Sequence, residues 1–222
     1  MLKKRSERPG CKESHSARRA VAFLQTANLV SMMRRNLVLL ASLCCLSFAS
    51  AAFSQSPPPG MTMHRIQAGE PDDSGWMVAA STEGGFSVRL PLKFNDFTIV
   101  ESDPKALALR TFVVGTKSQE GIKFTATRIV YRKGAESAKR FFSRFENGKD
   151  LGSKPERITP LKVGQRRAVD LLLRNASAVS YQRAVLLDSD LLLMIVESPD
   201  IHDGTARQFV TPFFDSLVVN VK

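Results

Sequence analysis

Asp200-Ile201-His202-Asp203 places three side chains able to ligate a divalent ion within one short stretch. Oxygen and nitrogen donors suit such an ion, but adjacent side chains rarely face one centre. Asp203 also stands where a helix is expected to begin, so the segment reads as a loop with a cap rather than a metal site. Asp188 and Asp190 have the right types for a general acid and base, yet they flank Ser189 between two strand-like runs and are expected to form a turn. His64 sits in a polar stretch upstream of the first clear strand pattern. The chain has no Gly-x-Ser-x-Gly elbow, phosphate-binding Gly-rich loop, His-Glu-x-x-His or Cys-x-x-Cys. Catalytic residues, metal ligands and cofactors are therefore not assigned.

The remaining chemistry is charge. The 222 residues hold 32 Lys and Arg against 21 Asp and Glu, a formal net charge of +11. A basic balance of this size raises nucleic-acid binding as a reading, which its distribution argues against. Nine of the cations lie in residues 1–51, and without that segment the net charge is +4. What remains is concentrated: residues 52–120 carry −2, residues 121–167 carry +9 and residues 168–222 carry −3. Arg128, Arg132, Lys133, Lys139, Arg140, Arg144, Arg166 and Arg167 form the candidate binding surface. Such a patch attracts an acidic protein, anionic lipid headgroups or an envelope polymer with salt-sensitive strength; the competing reading is a merely solvated helix face. Nucleic acid is not expected, because no aromatic residues interleave the cations on that face and the compartment is wrong.

The compartment follows from residues 32–51. Arg34-Arg35 precedes an apolar run from Leu37 to Phe48, and Ala49-Ser50-Ala51 closes it, the three parts of a secretory signal peptide. The run is short for a membrane span, so cleavage after Ala51 is expected and no stable transmembrane anchor after it. The protein is expected to be exported, periplasmic or secreted. Residues 1–31 are basic and read as an N-terminal extension, with Met32 or Met33 the expected true start. Cysteines 11, 44 and 45 all precede the cleavage point, so the mature chain has neither disulfide nor thiol chemistry. Residues 52–83, with Pro57-Pro58-Pro59-Gly60, read as a Pro-rich tether, and Trp76 within them as a partly buried lid residue.

A folded domain is expected over residues 84–222. Phe86, Val88 and Leu90 alternate with polar residues and stop at Pro91, marking a half-buried strand. Further strands are expected at 97–100, 107–114, 122–131, 158–163, 168–174, 179–187 and 191–197, several joined by turns short enough for antiparallel neighbours. Between them, Ala138, Phe141, Phe142 and Phe145 recur at helical spacing within 135–147. A closing helix starts near Asp203 with Ala206, Phe209, Val210, Phe213, Phe214 and Leu217 on one face, and Pro212 is expected to kink or break it. The fold class is thus α+β: one domain, a mainly antiparallel sheet with two amphipathic helices packed on it.

Phe86-Ser87-Val88-Arg89-Leu90-Pro91, the mid-chain amphipathic helix, the meander and the closing Phe214-Asp215-Ser216-Leu217-Val218-Val219 resemble the PsbP-like fold family of exported proteins over residues 84–220. The resemblance implies a binding or assembly module in preference to an enzyme. Two functions are carried forward. The first is an exported, non-enzymatic module that docks an anionic partner through its basic surface. The alternative is a small-ligand carrier or hydrolase-type enzyme with its site between sheet and helix.

Overall fold

The computed structural model describes residues 58–149, 151 and 153–220. The extension 1–31, the signal peptide 32–51 with its cysteines, and residues 52–57 of the expected tether lie outside the described residues.

Alternating apolar and polar side chains build most of the strands. Strands β1 (Met61–Ala68), β2 (Met77–Ala80), β3 (Phe86–Leu90), β4 (Phe94–Val100), β5 (Ala108–Lys117) and β6 (Lys123–Tyr131) precede helix α1 (Gly134–Glu146). Strands β7 (Pro155–Val163), β8 (Arg166–Arg174), β9 (Ala178–Leu186) and β10 (Asp190–Pro199) follow. A 3-10 turn (Asp200–His202), helix α2 (Asp203–Asp215) and strand β11 (Val218–Val219) close the chain. Eight strands form one antiparallel sheet in the order β1-β4-β5-β6-β10-β9-β8-β7, and β11-β3-β2 form a second, smaller one. The α+β class expected from the sequence is the class observed.

The centre of the large sheet explains the layering. Leu191 to Val196 on β10 are all buried, a continuous apolar run that marks a strand covered on both faces. Leu192, Met194 and Val196 join the core under α2 and the small sheet, together with Ala206, Phe213, Phe214, Phe86, Val88 and Leu90. Leu191, Leu193 and Ile195 have the opposite parity and face the side on which α1 packs against β6, β8, β9 and β10. Helix α1 buries Ala138, Phe142 and Phe145 at i, i+4 and i+7. Full burial of a Phe contributes about 2–3 kcal/mol, so this stripe seats the helix. The helix stops at Gly148, whose φ of +61° and proximity to Ile158, 2.8 Å from an added Cβ, admit no other residue without strain.

Three expectations are corrected. The tether through residue 83 contains β1, paired with β4, and β2, paired with β3, so the fold reaches upstream to Met61 rather than starting at Gly84. The strand was hidden because β1 is an edge with two register shifts and half-buried polar residues, which erase clean alternation. Helix α2 is not broken at Pro212: the helix runs through to Asp215. Pro212 and Gln208 are both exposed, so the carbonyl that loses its helical donor faces water. Asp203 is not a side-chain cap either; it is the first residue of α2, with His202 at the N-cap position.

Candidate functional site

The two parities of the sheet decide where the eight expected binding residues stand. Arg128 on β6 shares a face with Phe124 and Ala126, the side covered by α2 and the small sheet. Its Nε and Nη2 donate to Asp190 Oδ2 at 2.8 and 2.6 Å and its Nη1 to the Gly84 carbonyl at 2.8 Å. Asp190 is therefore a buried counter-ion, 3% exposed, and the expectation that it forms only a turn is corrected. Arg166 lies on the same side, half-buried, lining with Arg128, Leu187, Asp188, Ser189 and Asp190 a shallow hollow with a cavity volume of about 30 Å³. Small-molecule pockets run from roughly 300 to 1,000 Å³, so this hollow, with room for about one water, is no ligand pocket. Arg132 donates to the carbonyls of Glu101, Asp103 and Ala106 and pins the loop between β4 and β5.

The other face gathers a different group. Lys139 and Arg140 point outward from α1 and are exposed, and among the described residues no carboxylate lies within ion-pair distance of either. Lys133 is exposed at the N-cap of the same helix. Arg144 is half-buried, its guanidinium 4.7 Å over the Phe141 ring, which in turn stacks on Tyr131 at 5.1 Å. Burial under this stack pushes the Tyr131 hydroxyl well above its ordinary range, with Arg144 pulling weakly the other way, so the ring stays neutral. Arg167 on β8 reaches up to α1, pairing with Glu146 at 2.6 Å and lying 5.3 Å over Phe142. Lys162 on β7 is the cross-strand partner of Arg167 and is exposed on that same side. The structure thus brings Lys139, Arg140, Arg144 and Arg167 to one side of the sheet and leaves Arg128 and Arg166 on the other.

Lys162 went unassigned, although a signal existed. The turn at Gly164-Gln165 joins β7 to β8 as a hairpin, which sets Lys162 opposite Arg167. The acidic partners had no such signal, because they come from distant sequence. Arg183 is clamped by Asp170 at 2.7 Å and Asp215 at 3.0 Å. Arg174 pairs with Glu156, Asp200 and Asp203, and Asp203 also accepts from Tyr181 at 2.5 Å and Arg207 at 2.9 Å. Burial opposes ionisation of Asp203, but these donors outweigh it and hold the carboxyl below the ordinary range. Asp200 and Asp203 are thereby committed to guanidinium groups. Among the described residues no set of three or more His, Asp or Glu side chains is grouped to hold a metal ion.

His64, expected in a tether, stands on β1 with Nε2 2.8 Å from Thr98 Oγ1, whose hydroxyl donates to Glu83 at 3.1 Å. Beside it Arg65 pairs at 3.3 Å with Asp96, which is fully buried and also accepts from the Thr82 N–H and hydroxyl. A hydroxyl between an imidazole and a carboxylate is the wrong order for a nucleophilic triad, in which the imidazole stands in the middle. This cluster fastens β1 and the 81–84 turn to the sheet. Trp76, expected as a lid, is half-buried against Phe209 at 6.0 Å, with Arg89 5.8 Å over its ring.

Comparison with known proteins finds similarity at the level of fold. No family model matches the chain, and no curated protein matches it. Among solved structures it is similar to the cyanobacterial PsbP (CyanoP) of Synechocystis sp. PCC 6803, at 9% identity and a TM-score of 0.43, covering 68% of this chain and 96% of that one. It is also similar to LpqN of Mycobacterium tuberculosis, described as involved in cell envelope biogenesis, at 11% identity and a TM-score of 0.36, covering 74% and 87%. Among the described residues no helix is long and apolar enough to cross a membrane.

Proposed function

We propose that this chain is an exported, non-enzymatic binding or assembly module that docks an anionic partner through the outer face of α1. The observation that carries the reading is the contrast between two kinds of cation. Arg65, Arg89, Arg128, Arg174 and Arg183 are all closed in ion pairs with carboxylates of the fold, whereas Lys139 and Arg140 face solvent without one among the described residues. A cation already paired offers little to a partner; an unpaired one on a rigid helix attracts anions at a distance set by screening. Export rests on the leader pattern of residues 32–51.

Retention of the protein by an envelope fraction tests this. Retention is expected to fall steeply between low and moderate salt, as the Debye length shrinks to about 8 Å, and to fall again when Lys139, Arg140 and Arg144 become Ala. Indifference to both salt and substitution overturns the reading.

A further inference from the structure

The shape of the basic face narrows the class of partner. Lys139 and Arg140 stand on the ridge of a helix and Lys162 flanks it from the β7–β8 hairpin, opposite Arg167, which is already paired with Glu146, so the unpaired cations spread over a helix and a neighbouring strand. The large apolar side chains that are exposed, among them Val78, Val218 and Ile201, sit on the small sheet, on β1, β4 and β5, on the loop after β3 and on the 3-10 turn. None of those described lies on α1, β7 or β8. A protein–protein interface of ordinary affinity is built around a central cluster of aromatic or aliphatic anchors. A linear polyanion fits best in a track that follows its backbone. A two-dimensional array of long-stemmed cations with neither feature matches a plane of mobile negative charges.

From this geometry we infer that the α1 face adsorbs to a membrane surface by contact with anionic phospholipid headgroups, an inference that rests on the docking function proposed above and names its partner. Contact is electrostatic and reversible, with the cationic heads at the phosphates and no side chain inserted into hydrocarbon. Arg144 and Arg167, held over Phe141 and Phe142, stiffen the edges of the face, while Lys139, Arg140 and Lys162 are free to extend.

Sedimentation of the purified protein with vesicles tests the inference, using phosphatidylcholine alone, phosphatidylcholine mixed with phosphatidylglycerol, and, separately, soluble polyglutamate as a competing polyanion. Binding is expected only to the anionic vesicles. K139Q/R140Q is expected to weaken it about 30-fold, the factor two cations supply near an anionic surface, and K162Q to weaken it by a smaller step while circular dichroism stays unchanged. Equal binding to neutral vesicles, or no response to K139Q/R140Q and K162Q, overturns the inference. Binding to polyglutamate but not to anionic vesicles overturns the membrane assignment and leaves the docking function standing. Binding to neither overturns both.

Discussion

Arg128 and Lys139 carry the same charge on neighbouring elements, yet their environments give them opposite tasks. Arg128 neutralises Asp190, whose side chain is 4% exposed, so Arg128→Ala leaves a buried carboxylate unpaired. That is expected to cost about 3 kcal/mol or more in urea unfolding. K139A/R140A, which removes two exposed side chains with no ion pair among the described residues, is expected to stay within about 0.5 kcal/mol per site. Acid stability belongs to this scale too. The Ser74 hydroxyl, the N–H groups of Trp76 and Ser74 and the Arg89 guanidinium hold Asp72 down at about 2, and Asp203 is lowered as well. Both carboxyls bind protons more weakly in the folded state than in the unfolded state, where the ordinary value is about 3.9. Their contribution is therefore complete above about pH 4 and lost as pH falls toward 2. An acid titration followed by circular dichroism checks this, with Asp72→Asn expected to flatten the lower limb. A sequence shows how many charges a segment holds, and that made residues 121–167 conspicuous. It does not show which of them are consumed, because Asp190 meets Arg128 only through the pairing of β6 with β10.

Elements were legible where burial is one-sided and regular. The Ala138, Phe142 and Phe145 stripe and the Phe86-Val88-Leu90 alternation both announce one apolar face, and both α1 and β3 form where the pattern places them. Strand β1 shows the limit. Its half-buried Arg65 and His64 are satisfied by Asp96 and Thr98 of the adjacent strand, so the polar positions that argued for a tether are the contacts that fix the strand. Truncation separates the two descriptions. A chain starting at Pro58 is expected to unfold cooperatively, whereas one starting at Gly84 loses β1 and β2, exposes the edge of β4 and strips fully buried Asp96 of Arg65. The shorter chain is expected to lose near-ultraviolet circular dichroism and resistance to protease; retention of both would mean that β1 contributes little to the fold.

For the molecule as a whole, the large sheet acts as a partition for charge. Alternate residues of β6 and β8 emerge on opposite faces, so one basic stretch of sequence supplies both an internal clamp at Arg128 and an external surface with Lys139, Arg140 and Lys162. Composition counts both sets together, which is why the eight candidate residues read as one surface in the sequence, where strand parity does not show. The proposed docking function depends on this partition rather than on net charge, and comparing single faces tests it most directly. In an envelope-retention assay at low salt, K139A/R140A should release the protein while R166A, on the opposite face, should leave it bound. Equal loss in both variants, or loss in neither, would contradict a docking surface on α1.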